Sequence, residues 1–199
     1  MNRILIASPR LKNSTSYYLS SLLNLEAEYT YVKDMTFDTF SSGDTLIIAC
    51  PVYVDSLPAN LLVYLENLSD YLKDHPISLK LYALVTCGFP EGHQTQVSLS
   101  TIDLFCKKNQ IDYMGGLGVG SGEFMRNSQS MPMQTPIKKP VADCLKALSM
   151  AISNQEAYET RITQAKMSKF LFKWMSTQHW YSLGKKNGLR KKDLKKAIE

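Results

Sequence analysis

Residues 3–16 read RILIASPRLKNSTS, and the change of character inside this stretch decides the kind of fold the chain can adopt. The apolar run Ile4 to Ala7 stops at Ser8. A polar loop of Ser8, Pro9, Arg10, Lys12 and Asn13 follows, and Ser14, Thr15 and Ser16 open a segment with helical spacing. A short run that is apolar at every position is the pattern of a strand buried on both faces. A strand that passes through a polar loop into a helix N-terminus also makes a place for an anion. First-turn N–H groups have no acceptor within the helix, and the dipole favours negative charge there. Arg10 can add a forked, charge-assisted contact to phosphate oxygens. The plainer reading is a βα turn in which Ser14 is an ordinary N-cap, and the segment alone does not choose between them.

Outward from this segment the same alternation repeats. A helix is predicted over Ser14 to Asn24, with Tyr18, Leu19, Leu22 and Leu23 on one side. EYTYVKD (Glu28 to Asp34) alternates like an edge strand, whereas DTLIIACP (Asp44 to Pro51) is apolar throughout its centre and reads as buried on both faces. Pro58 suits the first turn of a long helix to about Leu72, with Leu61, Leu62, Leu65 and Leu68 inward. A fourth strand, LKLYALVTCG (Leu79 to Gly88), precedes a helix from Thr95 to Asn109 carrying Val97, Ile102, Leu104, Phe105 and Cys106. A fifth strand lies within Ile111 to Gly120, and a last domain helix near Pro140 to Ile152. Strands alternating with helices predict an α/β three-layer sandwich around a parallel sheet. Five strands in this pattern favour the doubly wound order 2-1-3-4-5.

In such a sheet ligands bind beyond the carboxyl ends of the strands, where the strand order reverses. Three loops are predicted to converge there, and they are the loops with unusual chemistry. The first is Ser8 to Ser16. The second, Pro51 to Leu57, places Val52, Tyr53, Val54 and Leu57 at a loop tip, where polar residues are usual. A flat apolar ligand, a dimer contact or simple packing would each account for them. The third, Thr86 to Gln94, offers backbone donors beside Gly88 and an aromatic ring at Phe89. His93 has no nucleophile paired with it, and Cys87 carries no sign of being one. The glycine-rich run Gly115 to Gly122 follows the last strand instead of the first. With no helix expected directly after it, it is set aside as a dinucleotide motif and read as a flexible strand end near the same crevice.

Taken together, the loops resemble those of the flavodoxin-like NAD(P)H-dependent FMN reductases. Their first motif, approximately G-S-P-R-x-x-G-N-T, corresponds to Ala7-Ser8-Pro9-Arg10 through Ser14-Thr15. Their second, approximately S-P-V-Y-x-x-x-x-x-A, corresponds to Cys50-Pro51-Val52-Tyr53 through Ala59. The resemblance covers residues 1–152. It implies that Ser8, Arg10, Ser14, Thr15 and Ser16 bind the FMN phosphate and that Pro51, Val52, Tyr53 and Val54 lie along the isoalloxazine ring. It further implies that Thr86, Cys87, Gly88 and Phe89 close on the ring's pyrimidine side. Ala7, Asn13 and Ser14 stand where the family has glycine, glycine and asparagine, implying a tighter phosphate loop or a weaker hold on FMN. The implied activity is hydride transfer from NADH or NADPH through FMN to a small-molecule acceptor: quinone-like, nitroaromatic, azo or flavin. Because a flavin brings its own redox chemistry, no catalytic side chain is assigned. The alternative is a non-catalytic electron carrier or binding module. A carrier usually shows a strongly acidic docking face, which this domain lacks.

Charge divides the chain. Residues 1–159 hold 12 Lys or Arg against 16 Asp or Glu, whereas residues 160–199 hold 11 against 2. The division predicts an FMN-binding domain over 1–155 and a basic, aromatic-containing helical extension over 156–199, where Phe170, Leu171, Trp174, Met175 and Tyr181 interleave with Lys166, Lys169 and Lys173. This pattern suits packing on its own domain or a partner subunit; it also suits peripheral contact with a membrane surface. Contact with nucleic acid is not expected. Asn187-Gly188 marks a turn before a short basic final helix. The four cysteines, Cys50, Cys87, Cys106 and Cys144, have neither metal nor redox spacing, so no metal is expected. No secretory signal or membrane span is visible in the sequence, which predicts a cytoplasmic protein. The apolar loop tips predict a homodimer or tetramer whose contacts wall the flavin pocket.

Overall fold

The computed structural model describes residues 1–34 and 36–195. In chain order the elements are β1 (Asn2–Ile6), α1 (Thr15–Ser21), β2 (Glu28–Tyr31), β3 (Asp44–Pro51), α2 (Ala59–Asp74), β4 (Leu79–Thr86), α3 (Gln96–Lys108), β5 (Asp112–Val119), α4 (Gly122–Asn127), α5 (Lys139–Asn154), β6 (Arg161–Thr163) and α6 (Lys169–Lys186). All strand pairs are parallel and the order is β2-β1-β3-β4-β5-β6. The first five strands keep the predicted 2-1-3-4-5 order, and the fold is the expected α/β sandwich. The correction is a sixth strand, which pairs Leu117 to Val119 of β5 with Arg161 to Thr163.

β3 is the centre of the sheet. From Asp44 to Cys50 every residue is buried, with β1 on one side and β4 on the other. Side chains alternate across a strand. Leu5, Leu46, Ile48 and Cys50 therefore form one face, packed with Leu61, Tyr64, Leu65 and Leu68 of α2 and Leu99, Ile102 and Cys106 of α3. Ile4, Ile6, Ile47 and Ala49 point to the other face, where α1 and α5 contribute Leu19, Val141, Leu145 and Leu148. Leu62, expected inward, is turned to solvent, and of the apolar residues carried by α3 so are Val97 and Leu104. Tyr64 and Leu99 take the inward places on those helices, because the helical period carries only one stripe onto the sheet. β2 is an edge strand, half-buried over Tyr29 to Tyr31.

The added strand is held by tyrosines. Tyr82 Oη donates to the carbonyl of Glu156 at 2.6 Å, and Tyr158 N–H donates to the Met114 carbonyl at 2.7 Å. Residues 156–163 are thereby laid along β5. Gly115, at φ +106°, makes this possible: a Cβ there would stand 1.8 Å from the Tyr158 carbonyl oxygen. Between α4 and α5 the fully buried Lys138 donates through Nζ to the carbonyls of Ser128 and Met131, and burial lowers its pKa.

The chain separates into two compact units, Met1–Lys166 and Met167–Glu199, so β6 belongs with the sheet. In the second unit Ser168 caps α6 by accepting from Leu171 N–H at 3.2 Å. After the turn at Asn187-Gly188 the chain folds back so that Leu194 meets Gly184. The final helix predicted beyond that turn is a single 3₁₀ turn, Asp193–Lys195; its remaining part, 196–199, lies outside the described residues. Among the described residues no helix is long and apolar enough to cross a membrane.

Replacing Gly115 by alanine combines an unfavourable backbone conformation with a backbone clash, and is expected to cost about 2–4 kcal/mol. Urea unfolding measures this. A loss below about 0.5 kcal/mol, the level of an ordinary surface substitution, would mean that Gly115 does not secure the return of Tyr158.

Candidate functional site

The carboxyl ends of β1, β3 and β4 deliver three loops to one cavity of about 140 Å³, lined by Ser8, Arg10, Ser14, Thr15, Ser16, Pro51, Val52, Tyr53, Thr86, Cys87, Gly88, Gly122 and Glu123. Of the predicted site residues the structure brings all but Val54 and Phe89 into this wall. Those two lie outside it, 98% and 65% exposed. A larger cavity of about 530 Å³ opens at the opposite end of the sheet, beside Ile77 and Ser78 ahead of β4. Among the described residues it contains no unpartnered buried polar group.

The first loop is more ordered than its sequence suggests. Leu11–Asn13 form a 3₁₀ turn, with Leu11 N–H donating to the Ser8 carbonyl and Ser14 N–H to that of Leu11. Ser14 Oγ donates to the Leu11 carbonyl at 2.6 Å and accepts from Tyr17 N–H at 3.1 Å. Its hydroxyl is therefore committed to capping α1, although the residue lines the cavity. Thr15 and Ser16 lead the helix, so their N–H groups have no acceptor within it. Arg10 leans across the opening, its Nη1 3.8 Å from Glu123 Oε1, with both side chains about half exposed.

Two hydroxyls in the wall are orphaned. Ser16 Oγ and Thr86 Oγ1, on residues 1% and 2% exposed, have no hydrogen-bond partner among the described residues. Leaving such a group unmade costs about 1–3 kcal/mol, so a native fold keeps one where something else satisfies it. Nearby, the N–H groups of Gly88 and Phe89 meet no acceptor among the described residues. A Cβ at Gly88 would project into open space. The first and third loops thus bring residues with unspent polar groups, Ser16, Thr86 and Gly88, into one wall.

The second loop is strained. Tyr53 and Ser56 exchange backbone hydrogen bonds at 3.0 Å, and the turn between them puts Val54 and Asp55 at φ +49° and +57°. A β-branched residue is disfavoured in that region by roughly 1–2 kcal/mol. Val52 N–H donates to the Thr86 carbonyl at 2.8 Å, tying the second loop to the root of the third. Tyr53 is 42% exposed at the rim.

A fourth wall was not legible in the sequence. The glycine-rich run does open a helix: Ser121 takes a left-handed conformation at φ +59° and α4 starts at Gly122. Ser121 and Gly122 N–H groups donate to the carbonyls of Phe89 and Cys87, clamping the third loop. A Cβ at Gly122 would stand 2.4 Å from Thr86 Oγ1 and 3.2 Å from Thr15 Cγ2, so only glycine lets this segment approach so closely. The usable signal was the pair Gly120 and Gly122 flanking Ser121 at a strand end. Cys87 donates through Sγ to the Glu91 carbonyl at 3.4 Å, and burial pushes its thiol up to about 11. It is a protonated structural thiol at neutral pH. His93 sits exposed in a 3₁₀ turn ahead of α3. Among the described residues no group of His, Cys, Asp and Glu could hold a metal ion.

Compared by sequence, the chain matches no protein-family model and no curated protein. Compared by structure, it is similar to a Trp repressor binding protein from Bacillus subtilis, with a TM-score of 0.56 and 14% identity over 74% of this chain and 97% of that one. It is also similar to the azoreductase AzrA, with a TM-score of 0.50 and 10% identity over 77% of this chain and 99% of that one. The architecture these comparisons define is the flavodoxin-like fold.

The orphaned hydroxyl has a consequence for stability. Thr86→Val removes a buried polar group without changing shape and is expected to raise the unfolding free energy of the ligand-free protein by about 1 kcal/mol. Denaturant midpoints at unchanged slope measure this; a loss of similar size would mean that the hydroxyl has a partner.

Proposed function

We propose that the sheet-end cavity binds FMN and that the protein is an NAD(P)H-dependent flavin oxidoreductase. The observation that carries the reading is that Ser16 and Thr86, each with a buried and unpartnered hydroxyl, line one cavity at the point where strand order reverses. A cavity of about 140 Å³ is well below the roughly 300–1,000 Å³ that encloses a whole cofactor. It fits the phosphate end of one, leaving a flat ring at the open rim.

The residues present fit such a ligand. Ser8, Thr15 and Ser16 supply hydroxyls and the leading N–H groups of α1 to a phosphate, with Arg10 above them as the charged partner. α1 is only seven residues long, so these direct hydrogen bonds matter more than its dipole. Pro51, Val52 and Tyr53 offer an apolar bed at the rim, and Val54 and Phe89 stand outside it as exposed apolar flanks. Gly88 leaves its space open, while its N–H and that of Phe89 can donate to ring carbonyls. Bound FMN would supply the redox chemistry, accepting hydride from NADH or NADPH and passing electrons to a quinone-like, nitroaromatic, azo or flavin acceptor. The chain's part is to hold the ring, exclude water from its buried side and leave the other side open for nicotinamide and acceptor in turn. The likeness in fold to an azoreductase supports this reading over a binding module. A homodimer or tetramer covering Tyr53, Val54 and Phe89 would complete the rim, and a cytoplasmic location would supply the nicotinamide.

Purified protein mixed with FMN is expected to retain flavin absorption through gel filtration, and NADH or NADPH is expected to bleach it. Retained flavin that neither nucleotide bleaches would make the protein a carrier, and failure to retain FMN would overturn the site. Glu123 sharpens the test. Its carboxylate shares Arg10 with any incoming phosphate, so Glu123→Gln is expected to tighten FMN several-fold, from about 0.5–1 kcal/mol of exposed ion-pair competition. Riboflavin, which lacks the phosphate, is expected to bind this variant and the parent equally. An equal gain for both flavins would remove Arg10 and Glu123 from the phosphate end.

A further inference from the structure

The second unit carries a surface that the flavin reading leaves unused. Residues 160–192 contain no Asp or Glu, and the unit Met167–Glu199 holds nine Lys or Arg against two acids. Within this positive field α6 exposes three large aromatic side chains: Phe170 at 81%, Trp174 at 54% and Trp180 at 66%. Phe170 and Trp174 fall on one stripe with the half-buried Tyr181, at i, i+4 and i+11, where Lys191 Nζ lies 4.4 Å from the Tyr181 ring centroid; Trp180 stands to one side of it. Lys173 and Lys185 flank that stripe on either side and are exposed. Aromatic rings along a helix with lysines at both margins match a lipid interface. There the rings sit at headgroup level, and the lysine stems lie along apolar surface with their charge in the headgroups.

We propose that α6 docks the protein peripherally on an anionic lipid bilayer, through the Phe170–Trp174–Tyr181 stripe and its flanking lysines. The helix has 18 residues and is not apolar enough to cross a membrane, so the contact proposed is with the headgroup surface alone, made by charge and exposed rings. The basic groups also point to lipid over nucleic acid. Apart from Arg190, which bonds to Asp193, the cations from Met167 to Lys195 are lysines. Lysine is a point charge suited to a diffuse anionic surface, whereas planar recognition of single phosphates favours arginine. The proposal is independent of what the sheet-end cavity binds.

Both tryptophans of the chain, Trp174 and Trp180, lie on α6, so indole emission of the unmodified 199-residue chain reports on this helix alone. Vesicles of phosphatidylcholine with about 30 mol % phosphatidylglycerol, in roughly 0.1 M salt, are expected to shift that emission to the blue, and pure phosphatidylcholine is not. Brominated acyl chains in the anionic vesicles are expected to quench it, a readout that needs no variant. Lys173→Gln combined with Lys185→Gln is expected to lower partitioning roughly thirtyfold, about a factor of five per lysine. No shift with anionic vesicles, or an equal shift with pure phosphatidylcholine, would overturn the proposal. So would a shift on a single-stranded oligonucleotide but not on vesicles, or one that follows protein concentration without lipid, since these would assign the face to nucleic acid or to a second copy.

Discussion

The structure depends on the need to pair and cover β3. Its residues from Asp44 to Cys50 are buried, so both edges must find strands and both faces must find helices, or backbone and apolar groups would face water unpaired. β1 takes one edge and β4 the other. The chain leaves β1 for α1 on one face, and leaves β3 for α2 on the other. These diverging connections part at the carboxyl ends of β1 and β3 and leave a crevice there. The location of the cavity thus follows from burial of a strand of which only the last residue, Pro51, reaches the cavity wall.

Within that crevice the protein forgoes some stability. A buried strand end and a helix start each keep a hydroxyl without a partner, at Thr86 and Ser16, and the second loop holds Val54 in a disfavoured conformation. These costs lie on adjoining loops around one small volume, while the larger cavity at the other end of the sheet shows no comparable orphan among the described residues. Other buried polar atoms without a hydrogen-bond partner among the described residues, Arg3 Nε, Ser98 Oγ and Tyr113 Oη, lie away from this cavity; those of Ser16 and Thr86 are on residues that line a volume a ligand could enter. Gly122 adds a geometric condition, since it lets α4 close against Thr86 and Thr15.

Much of this was legible in the sequence for one reason: long-range order was written in local pattern. DTLIIACP could only be a strand covered on both faces, and the loop after RILIAS could only face the sheet's carboxyl end. What escaped reading had no local pattern. β6 spans three residues, Arg161 to Thr163, with no apolar run; it exists because Tyr82 and Tyr158 hold the returning chain and Gly115 makes room. The opening of α4 was hidden because glycines at a strand end look like a flexible stop, and the clamp they make to Phe89 and Cys87 is visible only in three dimensions. Leu62, Val97 and Leu104 look like core residues on composition. Which stripe of a helix meets the sheet is set by its tertiary neighbours, and Tyr64 and Leu99 occupy that stripe instead.

The central claim is that a phosphate-bearing flavin is held by the first loop at the switch point. Calorimetric titration of the same protein with FMN and with riboflavin tests it most directly, because the two ligands share a ring and differ at the phosphate. Two or more charge-assisted hydrogen bonds at about 1.5–3 kcal/mol each should make FMN bind at least a hundredfold tighter than riboflavin. Equal affinities, or no heat with either flavin, would contradict the account.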